Sequence, residues 1–467
     1  MSSQEAITTT MIDAVLCDEL LQEIFLRLPS SSLSAVSLVS TRWLRLLRSS
    51  LTSLCLREAT AATLPPLAHF LSHCPHLSSL SLTTAAASSA DPLLLPPAGP
   101  CPHPRPLRFF PSPPSLSSLL FLSTSCPHLS SLSISLSRPV SFHFLSSFPS
   151  LKHLSFAFTG GNNSAAAFIG NPDRDLHLDT LSLSGVHPRD YGLVSLWRNT
   201  KTLKKLKLES CNSVGDNASF SAFLKAVAGL QEVELRSCRS ICFVVLMNLS
   251  ENCVSLNSLL VYDGADKEGL LQFLSQSRCN MRNLNFRLPL DLDNSHLIAI
   301  SRNFKGLLSL RLQSCCLVDG EGLVAVARGM GDNLEELGLI NCDVVEKQTG
   351  LLTTLGQSLK RLRKLDLSYN VMLVDIGFVS MLLSCNHLRE LKLRGCRKLS
   401  DAALVSMLKS CGHLESVDIR DCGGIGAGAV ELFVLNSLRL RGLQVEASKV
   451  SGVARAGASK LFIEVLD

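Results

Sequence analysis

The chain has 467 residues, 46% hydrophobic but only 5% aromatic and 18% charged, so its core is large and built mostly from Leu, Val and Ala. A net charge of +5 is modest at this length and argues against nucleic acid as the main partner. No apolar run approaches the roughly 20 residues of a membrane-spanning helix, so no membrane partner is expected.

The first residues, Met1-Ser-Ser-Gln-Glu-Ala-Ile-Thr, lack the basic, apolar and small-residue order of a secretory signal. The seventeen cysteines are therefore expected as reduced thiols of a cytoplasmic or nuclear protein. Residues 1–12 carry no periodic pattern and are expected to be disordered.

Order begins at Leu16. Leu16, Leu20, Ile24 and Leu28 follow i, i+4 spacing and form one apolar stripe on a helix. Asp18 and Glu19 suit its first turn, and Pro29 stops it. Ser30 to Ser32 offer an N-cap for a second helical run from Leu33 to Leu44. Two short helices cannot make a core of their own.

Beyond residue 50 the chain repeats. Leu388-Arg-Glu-Leu391-Lys-Leu393-Arg-Gly-Cys396 recurs as Leu414-Glu-Ser-Val417-Asp-Ile419-Arg-Asp-Cys422, and further copies begin at intervals of roughly 26 residues. The gap from Leu77 to Leu129 is doubled. Cys-Pro-His precedes both of those leucines, at Cys74 and Cys126, and recurs at Cys101, which predicts a degenerate strand at residues 104–109. About sixteen repeats then fill residues 51–467.

The cysteines closing the strand motif (Cys211, Cys238, Cys315, Cys342, Cys396, Cys422) form a series, with Asn370 in the same slot. A small buried group that bonds loop carbonyls suits every copy, whereas a catalytic thiol would stand alone. Structural zinc sites need paired ligands a few residues apart, and the Cys-Pro-His triplets lie a whole repeat apart, so neither metal nor cofactor is expected. Asp319, Asp375 and Asp401, and less clearly Asp216, precede apolar runs and read as helix N-caps. Residues 83–118 turn to Ala, Ser and Pro and predict an irregular loop. A Gly-Gly-Asn-Asn-Ser stretch does the same more mildly at 159–175. Leu461 to Val465 alternate like a closing strand.

In such a strand the leucines point inward and alternate residues line the sheet. One column comprises Glu209, Arg236, Tyr262, Arg287, Gln313, Ile340, Ser368, Arg394 and Arg420. Arg287 and Arg311 are expected to be neighbours beside Tyr262, with Lys392, Arg394 and Arg420 as a second basic group. Arginine binds carboxylate and phosphate bidentately, so Tyr262, Arg287, Arg311, Arg394 and Arg420 are candidate substrate-binding residues for an acidic or phosphorylated segment. The alternative is an ordinary solvated face of mixed charge, because Glu234, Asp366 and Asp418 interrupt the basic residues.

These motifs carry a resemblance. Residues 13–50 resemble an F-box, through Leu16, Glu19, Leu20, Leu21, Ile24, Phe25, Leu28, Pro29, Leu33, Ser37, Val39, Ser40 and Trp43, with Cys17 where the family has a proline. The repeats resemble cysteine-containing leucine-rich repeats. The resemblance implies an α/β solenoid: an all-helical F-box followed by a horseshoe with a parallel concave sheet and convex helices. It also implies a substrate receptor of an SCF-type ubiquitin ligase. Leu16, Leu20, Leu21, Ile24, Phe25, Leu28, Pro29, Leu33, Val39 and Trp43 would then dock a Skp-family adaptor, and through it a cullin, while the repeats recruit a protein target. A receptor that also senses a small molecule, and a ligase-independent scaffold, are the alternatives. The sequence holds no P-loop, His-Glu-x-x-His or Gly-x-Ser-x-Gly motif, so no catalysis is expected of the chain.

Overall fold

The structure is a computed structural model and describes residues 16–28, 32–50, 53–59, 79–84, 106–110, 120, 129–138, 142–159, 175–264, 266–288, 291–461 and 463–466. The Cys-Pro-His triplets, Pro29, most of the 83–118 segment and residues 160–174 lie outside the described residues.

The N-terminal segment folds as α1 (Asp18–Arg27), α2 (Leu33–Ser37) and α3 (Thr41–Ser50). The single second run predicted from Leu33 to Leu44 is broken. The Leu38 and Val39 amides donate to the Ala35 and Val36 carbonyls at 3.1 and 3.3 Å, which tightens the end of α2 into i→i+3 geometry. The Ser40 hydroxyl then accepts the Trp43 N–H at 3.1 Å and caps α3. With α3 turned back, Leu21, Phe25, Val36, Leu46 and Leu47 close a small core, flanked by Leu16, Leu28 and Trp43. The expectation that this segment has no core of its own is thereby corrected, because the third helix supplies two of its residues.

Absence of the proline does not open the first turn. The Leu21 amide donates to the Cys17 carbonyl at 3.1 Å. Arg42 of α3 donates to the Leu16 carbonyl at 2.8 Å and to Asp18 at 2.7 and 2.9 Å, pinning the start of α1 to α3.

The chain forms two compact units, residues 1–203 with 213–226, and residues 204–212 with 227–467. In the first, strands β1 (Ser53–Ala59), β2 (Ser79–Thr84), β3 (Pro106–Phe110), β4 (Ser131–Ser137), β5 (His153–Thr159) and β6 (Thr180–Ser184) pair in parallel in chain order. The degenerate copy is thus a strand, with Leu107 in register with Leu80 on one side and Leu132 on the other. A buried Arg138–Asp190 pair, at 2.6 and 3.0 Å, anchors the loops of this unit.

The second unit carries the parallel ladder from β7 (Lys205–Glu209) through β8 (Glu232–Arg236), β9 (Ser258–Tyr262), β10 (Asn283–Arg287), β11 (Ser309–Gln313) and β12 (Glu336–Ile340). It continues through β13 (Lys364–Asp366), β14 (Glu390–Lys392), β15 (Ser416–Asp418) and β16 (Gly442–Gln444) to the closing β17 (Glu464–Leu466). Helices such as Lys267–Gln276, Gly320–Met330 and Asp401–Ser410 alternate with these strands. Every leucine of the strand motif from Leu206 to Leu393 is buried. Each such burial stabilises by about 1.5–3 kcal/mol, and only the stacking of copies makes it available.

Two further features repeat with the strands. The residue just past each strand motif takes a left-handed backbone: Ser210, Ser237, Asp263, Leu288, Ser314, Asn341, Tyr369 and Asp421 have φ between 47° and 64°, and Gly395 has 75°. Their amides extend the ladder, as in Ser210 to the Arg236 carbonyl at 2.8 Å and Gly395 to that of Arg420 at 2.8 Å. Small polar residues and glycine tolerate this conformation, which explains most of the residue choices at that position. The next residue fills the slot predicted for cysteine. The thiols of Cys238, Cys396 and Cys422 donate to the carbonyls of Arg236, Leu367 and Leu393 at 3.2, 3.1 and 3.1 Å. Asn370 does the same work more fully, donating to Leu339 and Leu367 at 2.7 Å each and accepting the Cys342 amide at 2.9 Å.

The helix caps agree only in part. Asp319 and Asp216 accept first-turn amides at 2.8 and 3.0 Å. Asp375 and Asp401 instead occupy the first helical position, after Val374 and Ser400. Their carboxylates accept the amides of Ser400 and Gly426 in the following repeat, at 3.0 and 2.7 Å. The predicted caps are therefore one residue out, and these aspartates tie repeat to repeat.

Candidate functional site

Two surfaces carry the predicted site residues. On the N-terminal helices the ten proposed adaptor contacts divide by helical face. Leu21 and Phe25 are 1% and 3% exposed and belong to the core, with Phe25 against Trp43 at a ring separation of 5.4 Å. Leu20 and Ile24, one position back on α1, are 53% and 43% exposed. Val39 is exposed too, and Leu38, which the sequence reading passed over, more so. Leu16, Leu28 and Trp43 are partly buried against the core, and Leu33 opens α2.

The predicted stripe Leu16–Leu20–Ile24–Leu28 is therefore split. A stripe at i, i+4 drifts around the helix, and the pair Leu21–Phe25 wins the inner position because the aromatic ring fills more of the small core. Leu20 and Ile24 are left as apolar side chains with water on one side. With Val39, they are the exposed apolar side chains of the predicted set.

On the sheet of the second unit, Arg287 is in register with Tyr262 on one side and Gln313 on the other, and Arg311 with Asn285. Arg287 and Arg311 are thus diagonal neighbours on adjacent strands. Their circumstances differ. Arg311 donates to Glu336 at 2.9 Å and to Asp366 at 2.7 Å. Asp366 lies two strands away, and Arg311 reaches it across Gly338, where an added Cβ would stand 3.2 Å from Arg311 Cγ. Burial opposes the Arg311 charge, but the two carboxylates hold its pKa above the ordinary arginine value. Arg287 donates only to Asn285, at 3.1 Å, and makes no ion pair among the described residues. Burial, with the guanidiniums of Arg311 and Arg236 nearby, pulls it below the ordinary value.

The second basic group is likewise compensated. Arg420 holds Asp418 at 2.7 and 3.0 Å. Arg394 bonds Asp421 at 3.0 Å and lies over the Tyr369 ring at 5.8 Å, and Lys392 pairs with Glu390 at 2.7 Å. Of the predicted cations, Arg311, Arg394 and Arg420 are occupied by the face itself, which leaves Arg287 beside Tyr262 as the under-compensated charge. Gly338, a gap in a face column between Arg311 and Asp366, was the sequence signal for the internal pairing.

No group of three or more metal-ligating side chains occurs among the described residues. Burial pushes the thiols of Cys385 and Cys422 up to about 11, which keeps them protonated at neutral pH and poor nucleophiles. No helix of the described residues is long and apolar enough to cross a membrane.

Comparison with known proteins agrees with the two-part reading. Residues 15–52 match the F-box domain family, and residues 384–408 match the family described as Leucine Rich repeat. No curated protein matches the chain. Among solved structures, a chain of the yeast Rad7 and Elc1 complex is similar, with a TM-score of 0.48 and 17% identity over 92% of this chain and 96% of that one. An internalin, inlF, from Listeria monocytogenes is similar with a TM-score of 0.33 and 14% identity over 86% of this chain and 93% of that one. The two family matches give the chain an N-terminal F-box domain and a leucine-rich repeat, an architecture typical of adaptor and scaffold proteins rather than of catalysts.

Proposed function

We propose that this F-box and leucine-rich-repeat chain is a substrate receptor of an SCF-type ubiquitin ligase, working in the cytoplasm or nucleus. Its F-box docks a Skp-family adaptor, which links it to a cullin, and the repeats recruit a protein target. The supporting observation is that the F-box completes its own core with Leu21, Phe25, Val36, Leu46 and Leu47 and still leaves Leu20 and Ile24 exposed on α1. Exposed apolar side chains on a short helix are the material of helix-in-groove recognition, where a few aliphatic anchors carry most of the affinity. The boundaries 13–50 for the F-box and 51–467 for about sixteen repeats are part of the same proposal.

On the repeats, the reading places the target's acidic or phosphorylated segment at Arg287 and Tyr262, since an anion there gains a cation that no carboxylate of the face has taken. Arg311, Arg394 and Arg420 shape that face through their internal pairs. The test is capture of a Skp-family adaptor by the full chain. Leu20→Asp with Ile24→Asp is expected to abolish capture while the melting temperature stays unchanged. Retained capture by a folded double variant sinks the adaptor reading.

A further inference from the structure

A cavity of about 290 Å³ opens in the second unit and is lined by Lys360, Arg361, Arg363, His387, Arg389, His413 and Arg439. Every one of these side chains is basic. Its position explains the row. Arg361, His387, His413 and Arg439 each precede the first leucine of a copy, at the start of the strand segment. The ladder holds consecutive copies in step there: the Arg389 amide donates to the Arg363 carbonyl at 2.7 Å, and those of Glu415 and Arg441 to the carbonyls of Arg389 and Glu415 at 2.8 Å each. Parallel strands lie about 4.8 Å apart, so one basic group from each of four repeats falls in a line.

The partners of these cations are weak ones. Arg363 and Arg389 stand 3.6 and 3.5 Å from Glu335 and Glu415, beyond the ~2.7–2.9 Å of a charge-assisted bond. Arg361 donates to the Asp332 carbonyl at 3.2 Å, and Arg439 to His413 Nδ1 at 2.6 Å, with the His387 ring stacked on that of His413 at 6.5 Å. Lys360 and Arg439 pair with no carboxylate among the described residues. The sheet face pairs Arg311, Arg394 and Arg420 with carboxylates; this edge gathers five permanent cations around an open volume and, among the described residues, supplies two loosely held carboxylates.

We propose that this edge cavity is a binding site for a compact anion bearing two or more phosphoryl groups, separate from the Arg287 face. A single carboxylate cannot balance the charge. Clustered phosphoryl groups present several oxygens and multiple charges in a small volume, which suits convergent guanidiniums, and the cavity is near the lower end of ligand-pocket volumes, about 300 Å³. The groups come either from a free polyphosphorylated small molecule or from phosphorylated side chains close together on a bound protein.

The test is calorimetric titration of the full chain with inorganic tripolyphosphate, with citrate as a carboxylate control. Saturable binding of tripolyphosphate that weakens with added salt is expected, with citrate at least about tenfold weaker. The exposed triple variant Lys360→Ala, Arg389→Ala, Arg439→Ala is expected to keep its melting temperature and lose at least about tenfold in affinity. Lys225→Glu, at an exposed cation of the helix Asn217–Ala226, is expected to bind as the parent chain does. A peptide carrying two phosphoserines separates the sources: displacing tripolyphosphate at lower concentration assigns the site to phosphorylated protein, and failure to displace it assigns the site to a free small molecule. Absence of tripolyphosphate binding, equal binding by the triple variant, or an equal loss in Lys225→Glu overturns the proposal.

Discussion

The three-helix head and the repeats bury leucine by different rules. In the repeats, a leucine such as Leu365 or Leu391 is covered by its own helix and by the same residue of the copies on either side, so each copy lends its neighbour a surface. The head has no such neighbour in its own fold: five residues make its core, and apolar side chains of similar size stay in water a single position away on α1. A periodic array satisfies itself, whereas this small helical module is left with an apolar surplus on its surface.

The largest expected effect tests the weaker of the two cores. Phe25→Ala removes the ring that packs against Trp43 and is expected to cost about 3–5 kcal/mol, which exceeds what so small a core can lose. Hydrogen exchange should then show residues 16–50 opened while the amides of β7 to β17 keep their protection. Loss of protection in both regions together would mean that the head and the repeats share one cooperative core.

Within the repeats, Asn370→Ala strands the Leu339 and Leu367 carbonyls and the Cys342 amide that Asn370 now serves. A cost of about 1–3 kcal/mol is expected in urea unfolding. Asn370→Cys should recover part of it, because a thiol in this slot still reaches one carbonyl elsewhere in the array. If cysteine does no better than alanine, the slot needs volume and not a donor.

A smaller effect depends on pH. Burial would raise the Asp293 carboxyl, but hydrogen bonds from Lys267, Ser295 and His296 outweigh it and hold its pKa well below the usual aspartate value. The folded value is depressed, so its contribution is full above the unfolded value of about 3.9 and is lost as pH falls below it. Asp293 caps the helix Asn294–Asn303, and Asp293→Ala is expected to cost about 1 kcal/mol at neutral pH. Melting curves of parent and variant should converge as the pH is lowered below about 4, and a constant gap would place the effect in something other than the carboxylate.

What was legible in the sequence follows the same division. Repetition disclosed the strands, the degenerate copy at Pro106–Phe110 and the cysteine slot, because each is confirmed by its neighbours at the same phase. The head offers one instance of each signal, so nothing corrected the stripe drawn through Leu20 and Ile24 or revealed the break at Ser40. Pairing on the sheet face was hidden for another reason: Arg311 and Asp366 meet across an intervening strand, and only the absence of a side chain at Gly338 permits it. The edge row at Arg361, His387, His413 and Arg439 is in phase in the sequence, but it lies outside the strand positions whose alternation marks the sheet face.

The smallest stability effect bears most directly on the contrast between head and array. Leu20→Ser with Ile24→Ser replaces two side chains that are 53% and 43% exposed, so little buried area is lost and the change in unfolding free energy is expected to stay within about 0.5 kcal/mol. Leu391→Ser, a change of the same kind in the array, buries a hydroxyl among leucines and should cost several times as much. Near-neutrality at Leu20 and Ile24 would mean that the isolated fold does not need these side chains, so that whatever keeps them apolar acts through a partner. A cost comparable to that of Leu391→Ser would instead make them part of the head's own packing, and the exposed pair could no longer be assigned to docking.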